Sequence, residues 1–217
     1  MNRSARRLRD DAYSSFTEKL LSRDIQPGKV VSQRELVELT GMPLGAIREM
    51  IPRLEADGLI RTVPKRGLQV LSIDLELIRN AFQLRRIIES EAFAAFCRNA
   101  PDADIERIAD EHRRTLVAAE QGVTPELLSH AQHMDWAFHD FVIDALGNRI
   151  ISDIHRVNAI KIRLIRNSDT RMLPELVESV MNEHLVIISA LENRDVKKTV
   201  EAVHAHVDSA KRRALGV

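Results

Sequence analysis

The sequence predicts a mainly α-helical protein in two parts: an N-terminal winged helix-turn-helix, then an all-α bundle of six helices. Three observations predict it. Residues 32–70 read SQRELVELTGMPLGAIREMIPRLEADGLIRTVPKRGLQV, two short helical runs around a tight turn followed by a hairpin with a basic tip. From Ile73 onward apolar residues recur at helical spacing and no strand pattern remains. Charge is unevenly distributed within a net of zero. Residues 1–70 hold 13 Lys/Arg against 9 Asp/Glu, a balance of +4, and residues 71–217 hold 19 against 23, a balance of −4. A winged helix-turn-helix places a helix in the major groove of DNA, and a basic front half suits phosphates.

The first helix is expected from about Ser4 to Arg23, before the turn signal Gln26-Pro27-Gly28. Ser32-Gln33-Arg34-Glu35 is a capping box. The Ser hydroxyl can accept from the amide three residues on, while the Glu carboxylate reaches back. That helix should stop near Thr40-Gly41, where glycine can take the left-handed conformation. Pro43 suits the first turn of the next helix, which runs to about Asp57 and ends at Gly58. Pro52 lies inside it, and a proline there loses a hydrogen bond and crowds the preceding turn. A kink or an early end is expected. Leu59 to Val63 and Leu68 to Leu71, around Pro64-Lys65-Arg66-Gly67, form the wing. Breaks at Ala100-Pro101-Asp102, Gln121-Gly122, Gly147-Asn148, Arg171 to Pro174 and Asn193-Arg194-Asp195 then divide the remainder. Helices are expected near 74–99, 102–121, 124–146, 148–168, 174–193 and 195–214. The boundary falls near residues 71–75, giving domains at 1–72 and 73–217, with a connector too short to be a flexible tether.

Composition excludes several classes. The 44% hydrophobic content supports a real core and the 29% charged content a soluble chain. No apolar run approaches the roughly 20 residues a membrane span needs, and the basic N-terminus lacks the apolar stretch of a secretory signal. Cys97 is the single cysteine, so no intramolecular disulfide can form. A reducing cytoplasm is the expected compartment.

The N-terminal segment resembles the GntR family of bacterial transcription regulators. The residues that carry the resemblance are Pro27-Gly28, Glu35-Leu36, Arg48-Glu49, Arg53-Leu54-Glu55, Gly58-Leu59 and the wing Gly67. The C-terminal part resembles the FCD ligand-binding domain of the FadR-like branch through Arg85-x-x-x-Glu89, Asp135-x-x-x-His139, Gly147-Asn148, Glu183-His184, Asp195 and His206. Six helices there suit the shorter, VanR-like version. The resemblance implies Arg34, Arg48 and the wing residues Lys65, Arg66 and Gly67 as DNA contacts. It also implies a homodimer on a near-palindromic operator. Physically, arginine can grip a guanine edge with two hydrogen bonds and wing charges suit phosphates. Taken singly, each arginine would equally be a solvated surface charge. The chain departs from the family at the start of the recognition helix. Where the family usually has Ser-Arg-Thr-Pro, this sequence has Pro43-Leu44-Gly45-Ala46, so operator sequence does not carry over.

The bundle contains polar residues where apolar ones belong. In the helix over 124–146, Asp135 falls within the stripe of Leu127, Leu128, Ala131, Met134, Phe138, Val142 and Ala145, with His139 at its edge. His184 lies on the stripe of its own helix with Val177, Val180, Met181, Ile188 and Leu191. A buried carboxylate is costly without a partner, and a divalent metal supplies one, since an Asp and a His one turn apart can ligate the same ion. On the last helix the wheel does not choose between His204 and His206, which flank its apolar face; the family register picks His206. The ligand set is then Asp135, His139, His184 and His206, which suits Zn²⁺, with Ni²⁺ and Mn²⁺ as alternatives. His112, His130, His133 and His155 match nothing and read as surface or structural. Arg85 sits in the apolar stripe of its helix with Glu89 one turn on. It is either half of an ion pair or, as the resemblance implies, the receptor for the carboxylate of a small-molecule effector. Arg163 and Arg166 are weaker candidates for that role.

The expected function is a bacterial DNA-binding transcriptional regulator, a repressor released from its operator by a small carboxylated metabolite bound at the metal and Arg85. The alternative is a metal-dependent hydrolase using the His₃Asp site. Against it, no general base or nucleophile accompanies the ligands, and it leaves residues 32–70 unexplained.

Overall fold

In the computed structural model, residues 3–169 and 173–216 are described, with side chains from Arg7 to Ile165 and from Leu173 to Gly216. The chain divides into two compact units, Met1–Leu77 with Arg163–Asn167, and Ile78–Ile162 with Ser168–Val217.

The first unit opens with α1 (Arg3–Leu21), β1 (Val30–Val31), α2 (Gln33–Thr40) and α3 (Leu44–Ala56). The hairpin β2 (Ile60–Val63) and β3 (Gly67–Val70) follows. The capping box forms as its residues dictate. Ser32 Oγ accepts from the Glu35 amide at 3.1 Å, and Glu35 accepts from the Ser32 amide at 2.6 Å. Gly41 ends α2 at φ 68°. Phe16, Leu20, Leu36, Ile47, Met50 and Leu54 are fully buried and make the core beneath α2 and α3. Tyr13 donates to Asp57 at 2.6 Å, and the Arg53 guanidinium lies 4.0 Å over the Tyr13 ring, fastening α1 to the end of α3.

Two local expectations change. α3 does not end early at Pro52; it is helical from Leu44 to Ala56. Pro52 and Arg48 are both exposed, so water can solvate the Arg48 carbonyl that loses its partner, which softens the penalty. The wing is also not a lone hairpin. β1 pairs antiparallel with β3, in the order β1-β3-β2, with Val31 opposite Leu68 and Val63 opposite Gly67. Gly67 sits at φ +122°, and a Cβ there would stand 2.8 Å from the Val31 carbonyl oxygen. Only glycine lets β1 approach so closely.

The second unit is helical. It takes in α4 (Leu75–Asn99) from Ile78 onward, α5 (Asp102–Glu120), α6 (Pro125–Asp144), α7 (Arg149–Asp169) apart from Arg163–Asn167, a 3₁₀ turn over Pro174–Leu176, α8 (Val177–Glu192) and α9 (Val196–Leu215). The expected break at Arg171 to Pro174 lies partly outside the described residues. Thr124 caps α6 by accepting from the Leu127 amide at 3.2 Å, and Asp195 caps α9 by accepting from Lys198 at 3.0 Å. Arg194, at φ 54°, donates to the Cys97 and Ala100 carbonyls at 3.0 and 2.7 Å, satisfying the end of α4. α8 packs against α5, α6 and α9, and Val177, Val180, Met181, Ile187, Ile188 and Leu191 are buried along it.

Candidate metal centre

Four helices each bring polar side chains into the buried interior of the second unit. α4 presents Arg85 and Glu89, α6 presents Asp135 and His139, α8 presents His184, and α9 presents His206. All six are at most 3% exposed. One oxygen of Asp135 and one nitrogen each of His139, His184 and His206 lie within 4.8 Å of one another. Asp135 Oδ1 stands 3.4 Å from His184 Nε2 and 3.9 Å from His139 Nε2. The one-turn spacing of Asp135 and His139 and the inward stripes of α8 and α9 produce this convergence. On α9 the ambiguity resolves: His206 points inward, whereas His204 sits at the surface with Arg86 and Ser90.

Each second ring nitrogen faces a polar group behind it. His206 Nδ1 lies 2.8 Å from Glu183 Oε2, and Glu183 is itself gripped by Arg213 at 2.8 Å and Ser209 at 2.8 Å. His139 Nδ1 lies 3.1 Å from Glu89 Oε2, an ion-pair distance at which neither atom completes a hydrogen bond. His184 Nδ1 lies 3.1 Å from His112 Nε2, and His112 donates through Nδ1 to the Ile108 carbonyl at 2.8 Å. His112 is 1% exposed and packs edge-on against Phe138, its centroid 5.0 Å away. Read from sequence as surface or structural, it in fact occupies the apolar stripe of α5 with Ile105, Ile108 and Ala109, and that position is the signal for a buried role. His130 and His133 are exposed, and His155 reaches Asp140 at 3.0 Å, consistent with surface and structural roles.

Electrostatics match ligand chemistry. Burial pushes the imidazoles of His112, His139, His184 and His206 down to about 4, so they are neutral near pH 7. Burial alone would raise the Glu89 carboxyl, but Arg85 and His139 beside it outweigh burial and hold it below the usual carboxylate range. Glu183 is likewise lowered, His206 and Arg213 overcoming burial. Arg85 Nε donates to Glu89 at 2.7 Å, and its Nη2 donates to His139 Nε2 at 2.9 Å and to His206 Nε2 at 3.4 Å. The ion pair expected from the one-turn spacing therefore forms. Arg85 Nη1 and His184 Nε2 are buried with no hydrogen-bond partner among the described residues. An orphaned imidazole nitrogen beside two more and a carboxylate is a donor set that fits a divalent cation.

In the first unit, Arg34 is exposed on α2 within 3.7 Å of Glu38, and Arg48 is exposed on α3 with its Nε donating to Gln33 at 3.2 Å. Lys65 and Arg66 are exposed at the wing tip, and Gly67 opens β3. Leu44 is 40% exposed at the start of α3. Arg163 falls with the first unit, and the Arg166 side chain lies outside the described residues.

Residues 80–209 match the FCD domain, and residues 8–70 match the family of bacterial regulatory proteins, gntR family. The chain belongs to the GntR family, in its FCD-bearing branch. It is similar to the HTH-type transcriptional repressor RspR of Escherichia coli, 26% identical over 195 residues that span 87% of this chain and 83% of RspR. The Escherichia coli repressor GlaR is 20% identical over 91% of both chains. Among solved structures, a GntR transcriptional regulator from Rhodococcus sp. RHA1 shares the fold with a TM-score of 0.71 at 16% identity, covering 100% of this chain and 99% of that one. E. coli McbR/YncC does so with a TM-score of 0.69 at 15% identity, over 96% and 95%. This GntR-family protein is a DNA-binding transcriptional regulator, with repressors among its relatives and no enzyme among these matches. Among the described residues, no helix is long and apolar enough to cross a membrane.

Proposed function

We propose that this GntR-family regulator is a cytoplasmic homodimeric repressor, released from its operator by a small carboxylated metabolite bound beside a metal in the C-terminal domain. Residues 1–72 form the operator-binding domain in this reading, with Arg34 and Arg48 at the groove and Lys65, Arg66 and Gly67 at the backbone; residues 73–217 form the sensor. The observation that carries the sensor is the convergence of Asp135, His139, His184 and His206 within 4.8 Å, next to an arginine with an unpartnered Nη1. When bound, the ion supplies a fixed positive charge with room for an oxygen ligand. Three imidazoles and a carboxylate favour Zn²⁺, and Ni²⁺ and Mn²⁺ share much of that donor chemistry.

Formal charge favours an anionic effector. Asp135, Glu89 and Glu183 carry −3, and Arg85 and Arg213 carry +2. A divalent ion therefore leaves a net of +1 in and around the centre, which a monocarboxylate cancels. Arg85 can present its free Nη1 to that carboxylate, since guanidinium groups hold carboxylates by paired hydrogen bonds. Metal loading also requires Arg85 to relinquish the Nε2 atoms of His139 and His206, which turns Nη2 towards the effector as well. Release follows if the effector binds the DNA-free state more tightly than the DNA-bound one.

Elemental analysis of the purified protein beside a His184→Ala/His206→Ala double variant tests the centre. About one divalent ion per chain is expected in the wild type and none in the variant. Metal-free wild type after zinc supplementation would remove the sensor reading and leave DNA binding untouched. Operator release by chelating carboxylates, measured with and without zinc, then tests the effector.

A further inference from the structure

His112 has a role that the ligand set does not include. Its Nδ1 lies 2.8 Å from the Ile108 carbonyl oxygen, and its Nε2 lies 3.1 Å from His184 Nδ1. A carbonyl oxygen can only accept, so His112 Nδ1 must carry the hydrogen. A neutral imidazole carries one N–H, so His112 Nε2 must be the acceptor. His184 Nδ1 therefore donates to it, and His184 Nε2 is left with a bare lone pair. That atom is a buried nitrogen with no hydrogen-bond partner among the described residues, 3.4 Å from Asp135 Oδ1.

We propose that His112 is the positioning residue of His184: a relay running Ile108 carbonyl, His112, His184 fixes the tautomer and ring orientation that aim His184 Nε2 into the centre. The inference rests on the metal reading above for its consequence, though not for its geometry. Each of the three imidazoles has its own prop. His139 faces Glu89 at 3.1 Å and His206 is hydrogen-bonded to Glu183, both carboxylates, while His184 alone is hydrogen-bonded to a neutral ring. The relay is anchored to the backbone of α5 one turn before His112, so α5 and α8 must hold their register for it to form. Phe138 packs against both rings, its centroid 5.0 Å from each. Outer partners of this kind typically change metal affinity 10- to 100-fold, roughly, when removed.

Two variants and one spectrum test the relay. In His112→Phe the ring volume stays but the acceptor is lost. In His112→Gln the side-chain carbonyl can still accept from His184 Nδ1. Zinc affinity, read by competition with a chromophoric chelator, should fall about 10- to 100-fold in His112→Phe and recover most of that loss in His112→Gln. Equal affinity in all three proteins, or loss in both variants with no rescue, would overturn the relay. Histidine nitrogen NMR of the wild type provides the check that needs no variant. His184 should show a protonated Nδ1 and a bare or zinc-bound Nε2; a protonated Nε2 or zinc on Nδ1 would overturn it. If wild type takes up no zinc, the metal reading falls, and the tautomer recorded in the metal-free protein still decides the relay.

Discussion

Four imidazoles held neutral by burial make stability depend on acidity. His112, His139, His184 and His206 all lie near 4 in the folded protein, against an ordinary value of 6.5. Between those values the unfolded chain binds protons on these rings and the folded chain does not. Stability therefore falls as pH falls from 6.5 towards 4, and is fully present above 6.5. The metal-free protein is expected to show a melting temperature that is flat from pH 8 to 7 and drops steeply below 6; a flat profile down to pH 5 would contradict the burial of these rings. Sequence showed which residues could meet at this centre because helical spacing puts Asp135, His139 and His184 on inward faces. His112 was legible by the same criterion, lying on the stripe of α5, but a single histidine on a stripe has no partner in the sequence until the packing of α5 on α8 supplies one. The helical wheel likewise left His204 and His206 open; the family register picked His206, and the packing of α9 turns it inward.

At the scale of elements, the helices were legible almost throughout because their ends carry local chemistry. The Ser32–Glu35 capping box, Gly41, Thr124 and Asp195 each satisfy backbone groups within a few residues of themselves. β1 was not legible. A two-residue strand has no periodicity, and its pairing partner Gln69 lies 39 positions away from Val30. The clue was Gly67, whose need for glycine arises from a carbonyl on another strand. Gly67→Ala should destabilise the wing by about 1–3 kcal/mol, since it combines a strained φ with a backbone clash. Chemical denaturation of the full chain should register the loss, and operator affinity should fall with it. An unchanged midpoint would mean that β1 can retreat without cost. At Pro52 the early end does not occur and α3 runs on to Ala56, because the carbonyl that the proline orphans lies on the exposed face of the helix, where water can serve it.

For the whole molecule, the zero net charge conceals a division between a basic N-terminal third and an acidic remainder. DNA binding should therefore weaken steeply with salt despite the neutral total. Lys65→Ala and Arg66→Ala should each reduce the slope of log affinity against log salt by about 1, with little change in sequence preference. Arg48→Ala should instead relax discrimination between operator variants. Titrations of a duplex from random-sequence selection at several salt concentrations distinguish the two behaviours, and an unaltered slope in both wing variants would remove the wing from the interface.

α8 carries two neighbouring residues with different jobs: His184 faces the centre directly, and Glu183 steadies His206 from behind. Adding or deleting one residue upstream within α8 would turn everything beyond it by about 100°, taking both away at once. Length changes should therefore be tolerated on the 3₁₀ turn before α8 or in the loop after it, and not within the helix. Among natural variants of this chain, α8 should be the segment whose length never drifts even where its sequence does.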